Sequence, residues 1–280
     1  CGWRLDVADE LSDGFLTELS AAARAEREDA LIIGEVWEDA SNKVSYGKRR
    51  SYFNGKELDS VMNYPFAENL VSFGITGKAE GFNEKIAEIC ENYPKPALDC
   101  LMNHIGTHDT ERAVTVLGGE PSYGRGRSWQ AAQQMNDKQR AVGLRRLQLA
   151  SLLQFALPGV PCIYYGDEAG MEGYGDPFCR RPFPWGREER ELQLHFKRLG
   201  QLRKKYEALR LGDIKFQYAL NNQLSFTRTY GDQTIRIYVN RGSDDWEIPV
   251  GRILLARNML TVADDQLVMG HNGFCIVEAV

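Results

Sequence analysis

From residue 1 to about residue 206, short apolar runs alternate with stretches of helical periodicity, and this alternation constrains the fold more than any other feature. RLDVAD is followed by a helical segment from Asp13 to about Glu28, then by LIIGEVW at 31–37, a polar loop and DSVMNY at 59–64. Helical spacing returns between Asn83 and Tyr93, with Ile86, Ile89 and Cys90 on one side. LDCLMNHIGTHD follows at 98–109, and a Gly-rich loop at 118–127. The clearest helix runs from Asn136 to Leu157, with Pro158–Gly159 as its stop. PCIYYGDE at 161–168 reads as a buried strand, and another helix is expected from about Arg190 to Tyr206. Strands alternating with helices predict βα units around a parallel sheet. Runs such as LIIG and CIYY suit strands covered on both faces.

After residue 207 the rhythm changes. IKFQYA, QLSFTRTY, QTIRIYVN, WEIPV, RILLA and GFCIVEA are short strands separated by turns such as YGDQ and RGSD, an antiparallel β module. The chain therefore divides into residues 1–206 and 207–280 by a change of pattern, with no flexible tether between them.

A net charge of −5 gives no reason to expect nucleic acid or an anionic membrane as partner. No apolar run approaches the roughly 18 residues that would span a bilayer. The six cysteines (1, 90, 100, 162, 179 and 275) are scattered without a CxxC pair, so they read as mostly buried, reduced thiols, not as zinc ligands.

Three stretches carry candidate chemistry. In GWRLDVADE, Arg4 and Asp6 share one face of a strand, and the guanidinium would hold the carboxyl ionised. A plain ion pair at a strand end explains the stretch equally well. In LIIGEVWEDA, Glu35 sits where a buried strand ends; a carboxyl against apolar walls can donate a proton near neutral pH. An exposed Glu at a strand-to-loop transition is the alternative. In NHIGTHDTER, His108 and Asp109 follow an apolar run; a turn in which Asp109 or Thr110 caps the next helix is the alternative.

Together the three say more. Each carboxylate follows a different strand, and βα folds gather their sites at the carboxyl ends of parallel strands. An ionised Asp, a protonatable Glu and a further acid suit glycoside hydrolysis. His108 can donate to a sugar hydroxyl. Trp37, Tyr64, Tyr164 and Tyr165 offer flat faces for sugar rings, although the last two also fit a core.

GWRLDVADE, IIGEVWEDA and IGTHDTER resemble, in order, three consecutive signature regions of the α-amylase superfamily of glycoside hydrolases. The resemblance continues through LPGVPCIYYGDEAGMEG, similar to that family's eighth-strand stretch, and into the β module. DSVMNYPF and GDPFCRRPFPW look most like the neopullulanase, cyclomaltodextrinase and maltogenic amylase group. The resemblance implies a retaining hydrolase of α-linked glucans, with Asp6 as nucleophile held ionised by Arg4 and Glu35 as acid and then base. Asp109 would bind sugar hydroxyls beside His108, and Trp37 would line the acceptor side. No metal or organic cofactor is implied. The alternatives are a glucanotransferase of the same superfamily and a non-catalytic α-glucan-binding or assembly piece.

In this family the nucleophile belongs to the fourth of eight barrel strands. The expected fold is therefore α/β: about strands four to eight of a (β/α)8 TIM barrel, then a small antiparallel β domain. The family's first signature region, which ends in Asn-His, has no counterpart, and no role is carried to the NH at 103–104. The expected partners are an α-glucan and the missing N-terminal half of the barrel, or a second copy meeting the open strand edges. The group's usual location is the cytoplasm; an upstream signal would make it extracellular.

Overall fold

The computed structural model describes residues 2–249, 251–263 and 266–279. In chain order the first part contains β1 (Gly2–Leu5), α1 (Asp13–Glu26), β2 (Leu31–Gly34) and a small hairpin of β3 (Val44–Ser45) and β4 (Lys48–Arg49). Then come β5 (Ser60–Val61), α2 (Tyr64–Thr76), α3 (Ala79–Asn92), α4 (Lys95–Cys100) and β6 (Met102–Asn103). They are followed by α5 (Ala113–Gly118), α6 (Arg127–Ala132), α7 (Asp137–Ala156) and β7 (Val160–Pro161). A 3-10 turn at Phe178–Arg180 precedes α8 (Arg190–Lys205) and α9 (Glu207–Leu211). The antiparallel strands are β8 (Asp213–Leu220), β9 (Gln223–Tyr230), β10 (Gln233–Asn240), β11 (Trp246–Pro249), β12 (Arg252–Ala263) and β13 (Gln266–Glu278).

Strands β1, β2 and β5 pair in parallel, a Met62–Met102 bridge carries the series to β6, and β6 pairs in parallel with β7. Each strand thus lies beside its predecessor, with helices on the connections, which is the order of a barrel arc. Among the described residues no pairing joins β7 back to β1.

The last strands of this arc are very short, and buried amides replace the missing ladder. Asn63 donates to the Asn103 side chain at 2.9 Å, and Asn103 donates to the Pro158 carbonyl at 2.7 Å. Gln154 donates to the Asn103 and Cys162 carbonyls at 3.0 and 2.9 Å. Gly159 permits the approach: with φ at 105°, a Cβ there would meet the Asn103 amide at 2.6 Å.

The CIYYGDE stretch is not a strand beyond Pro161. It turns at Gly166 (φ 87°), and Tyr164 and Tyr165 pack over the Arg112 guanidinium at 4.2 and 4.5 Å. Helix α7 matches its expected bounds because Asn136 and Gln139 form a reciprocal capping box at 2.9 and 3.0 Å. Helix α2 buries Phe66, Ala67, Leu70, Phe73 and Gly74 along one face and exposes Glu68, Ser72, Ile75 and Thr76 on the other. Its start is set by Asn63, whose side chain accepts from Phe66 N, and by Pro65 in the first turn.

One core joins the parallel strands, their helices and the inner face of the antiparallel sheet, from Leu16 and Ile32 through Phe73 and Leu152 to Phe226 and Phe274. Buried arginines tie the sheet to helix ends. Arg228 donates to the Ala156 carbonyl at 2.6 Å and to Gly212 at 2.8 Å, and Arg241 to Gly74 at 3.0 Å. Cys179 and Cys275 are buried thiols, while Cys90, Cys100 and Cys162 are only half-buried; Cys1 lies outside the described residues. No described helix is long and apolar enough to cross a membrane.

Candidate active site

Arg4 lies on β1, Asp6 just past its end and Glu35 just past the end of the neighbouring β2. One guanidinium meets both carboxylates. Arg4 Nη1 donates to Asp6 Oδ1, and Nη2 pairs with Glu35 Oε1 at 2.8 Å. Its Nε reaches Met62 Sδ at 3.3 Å, which fixes the plane of the fork. The hydrogen bond and charge of Arg4 hold the Asp6 carboxyl below the usual carboxylate range. Asp6 itself is open to solvent, with 74% of its side chain exposed.

Glu35 is 3% exposed, but its surroundings are more polar than the apolar walls expected of a strand end. Besides Arg4, Glu35 Oε2 accepts from Val7 N at 2.9 Å, and the Tyr64 hydroxyl donates to Oε1 at 3.4 Å. The turn after β1 supplies the backbone donor. Val7 has φ at 40°, an unfavourable conformation for a β-branched residue, costing on the order of 1–3 kcal/mol. Its own bond to Glu35 and that of Ala8 N to Glu35 O at 3.0 Å offset the strain.

Tyr64 opens α2 and backs the site. Burial pushes its hydroxyl up to about 12, so it stays a neutral donor, and Glu35, Asp109 and Arg4 all act on it through space. Trp37 stacks on Tyr64 at 4.2 Å and 12°, while His104 meets the Tyr64 ring edge at 4.7 Å. Tyr64 is therefore largely covered and presents little ring face to a ligand, whereas Trp37 is 49% exposed.

His108 and Asp109 approach from the turn after β6. His108 Nε2 lies 3.0 Å from Asp109 Oδ2, and Arg180 Nη2 donates to Asp109 Oδ1 at 3.1 Å. Arg180 Nε also donates to the His108 carbonyl at 2.9 Å. Neither Asp109 nor Thr110 caps α5, whose N-cap is Arg112; Thr110 Oγ1 instead accepts from Thr107 N at 2.8 Å and tightens the turn. Below it, Arg112 faces Asp167 at 3.6 Å, both inaccessible to solvent. Burial pushes Asp167 up to about 7 against the pull of Arg112.

Arg4, Asp6, Glu35, Trp37, Tyr64, His108 and Asp109 thus gather at one end of the strand arc, while Tyr164 and Tyr165 pack on Arg112. Sequence reasoning gave no role to four neighbours: His104, Arg112, Asp167 and Arg180. All four were within quoted stretches but had no visible partner. Arg180 is 71 residues from Asp109, a separation that leaves no local signal. Among the described residues no group of three or more His, Cys, Asp and Glu side chains is placed to hold a metal.

The chain is similar to known proteins along nearly all its length. It is 36% identical over 255 residues to a cyclomaltodextrinase of Geobacillus thermopakistaniensis, covering 89% of this chain and 38% of that protein. It is 35% identical to neopullulanase 2 of Thermoactinomyces vulgaris, covering 85% of this chain and 36% of that one. The chain thus spans well under half the length of these relatives. Among solved structures, the debranching enzyme of Nostoc punctiforme superposes with a TM-score of 0.80 at 27% identity, covering 99% of this chain and 58% of that one. Residues 2–191 match the family model described as the α-amylase catalytic domain, and the chain belongs to that family.

Proposed function

We propose that this chain is the site-bearing portion of a retaining glycoside hydrolase that acts on α-linked glucans. The observation that carries the reading is the single Arg4 guanidinium holding Asp6 on one side and Glu35 on the other. Two carboxylates on one guanidinium are kept close, which favours the retaining separation of about 5–5.5 Å over the wider inverting one. Asp6, kept ionised by Arg4, attacks the anomeric carbon. The glycosidic bond breaks as Glu35 gives its proton to the departing oxygen. Glu35 then takes a proton from the water that releases the sugar from Asp6. Asp109, oriented by His108 and Arg180, binds sugar hydroxyls, and Trp37 offers its exposed face to the acceptor side.

The five parallel strands correspond in this reading to strands four to eight of a (β/α)8 barrel within residues 1–206, with 207–280 as the C-terminal β domain. The unpaired edges of β1 and β7 support it, as do Trp3 and Val160 beside them, 65% and 48% exposed. They offer a seat for upstream βα units or a second copy. A second reading, α-glucan binding without turnover, draws on the 74% exposure of Asp6, a nucleophile that water reaches freely.

Sugar release by the purified chain decides between them. Maltooligosaccharide, pullulan and a cyclodextrin are supplied separately, with Glu35→Gln as control. Turnover that disappears in the control supports the hydrolase, products longer than the substrate indicate transfer, and binding without turnover supports the second reading.

A further inference from the structure

Arg112 is fully buried, and its 3.6 Å separation from Asp167 is that of an ion pair and not of a hydrogen bond. What the guanidinium touches most closely is aromatic. It lies 4.2 and 4.5 Å from the ring centroids of Tyr164 and Tyr165, and its Nη1 donates to the Tyr165 carbonyl. The two rings also meet edge to face at 4.8 Å. A planar cation against both ring faces holds the pair in place.

The tyrosine hydroxyls reach the backbone on either side of Arg180. Tyr165 donates to the Arg181 carbonyl at 2.8 Å, and Tyr164 to the Cys179 carbonyl at 3.5 Å, the weaker contact. Cys179 donates its thiol to the His108 carbonyl at 3.2 Å, and Arg180 Nε donates to the same carbonyl at 2.9 Å. Arg180 Nη2 then meets Asp109 Oδ1 at 3.1 Å. The path closes on itself, because Arg112 follows Asp109 in the chain and its own N–H is bonded to the Gly173 carbonyl at 2.9 Å. Arg180 and Asp109 are 44% and 32% exposed, and a pair this open to water is held only weakly by its own attraction. Its geometry has to come from the frame behind it.

We propose that Arg112, Tyr164 and Tyr165 are positioning residues for Asp109, and that the Tyr165 hydroxyl is the link by which the buried cation sets Arg180 against it. The inference rests on Asp109 binding sugar hydroxyls, as in the hydrolase reading. The three residues act through Arg180 and leave the substrate to Asp109. A displacement of about 1 Å in a group that orients substrate can cost on the order of a hundredfold in rate, so a single lost hydroxyl in the frame is expected to cost about tenfold.

Tyr165→Phe tests this in the full chain, because Tyr165 is 41% exposed and the change keeps the ring on Arg112 while removing the hydroxyl. On maltotriose, kcat should fall about tenfold with KM moved less than about twofold, and urea unfolding should stay where it was. In an Asp109→Asn background the same change should have no further effect, since a residue that acts through Asp109 has nothing left to position. A merely structural role would give the same loss in both backgrounds. That additive result, or Tyr165→Phe turning over like the parent chain, overturns this inference alone. If the parent chain binds maltotriose without turnover, the same cycle is read in Kd with the same non-additivity expected. Asp109→Asn behaving like the parent, or maltotriose neither bound nor cleaved, overturns this inference together with the role given to Asp109.

Discussion

The parallel arc and the antiparallel sheet meet their polar groups in opposite ways. Strands of the arc are two to four residues long, while those of the sheet reach 13, with continuous register across β9, β10 and most of β13. In the sheet, buried polar side chains are saturated: Arg228 caps Gly212 and Ala156, and Asn240 donates to Asp244 and Met269 carbonyls. In the arc, both nitrogens of His104, two of Arg112 and Asp167 Oδ1 lack hydrogen-bond partners near the site, as do the Tyr52 hydroxyl, Glu57 Oε2, Asn83 Oδ1 and Gln148 Oε1 elsewhere, and beyond residue 213 only Arg241 Nε does so among the described residues. Unspent hydrogen-bonding capacity thus lies on the side of the arc, part of it around the site. The difference teaches which buried charges are for binding and which are for building.

Substitutions can break that division. The largest effect is expected for Asp6→Asn, which should lower turnover on the order of 10⁴-fold. Because Asp6 is exposed, its urea unfolding should shift by about 0.5 kcal/mol or less. Arg228→Met should do the reverse, costing about 3 kcal/mol in the same unfolding experiment while kcat holds, because buried carbonyls lose their donor. Loss of activity without loss of stability in that variant would erase the distinction between the two regions.

Arg4→Met sharpens the comparison at the boundary of the two roles. Arg4 lowers Asp6, and in the proposed mechanism Asp6 must be ionised to attack, so removing the guanidinium should move the acid limb of the kcat/KM profile to higher pH. A limb that stays in place would make Arg4 a building arginine like Arg228. The smallest effect is expected for Trp37→Ala, a rise in KM of about three- to tenfold with unfolding almost unchanged, measured on maltooligosaccharide.

Much of this was legible in the sequence, for reasons that differ from residue to residue. LIIG ends at Gly34 and places Glu35 because a covered strand has to be apolar throughout and stops where polarity begins. Arg4 and Asp6 meet because alternation on a strand puts them on one face. The strand expected in CIYYGDE was wrong beyond Pro161, since its aromatic residues serve Arg112, a partner more than fifty positions away. Helix α2 was not foreseen although its buried residues keep a helical period, because Ile75 on the exposed face blurs the contrast between its two sides. His104 was noticed in the sequence but given no role; only the tertiary packing shows that neither ring nitrogen has a hydrogen-bond partner.

The Arg241 contact has a consequence for synthesis. It closes the carboxyl end of α2 on Gly74, 167 residues earlier in the chain. A ribosome delivers residues in order, so the helix that carries Tyr64 emerges long before the arginine that finishes it. Contacts this distant in sequence form late and slow folding. The docking of the end of α2 onto the sheet therefore waits until β10 and the turn after it have been made.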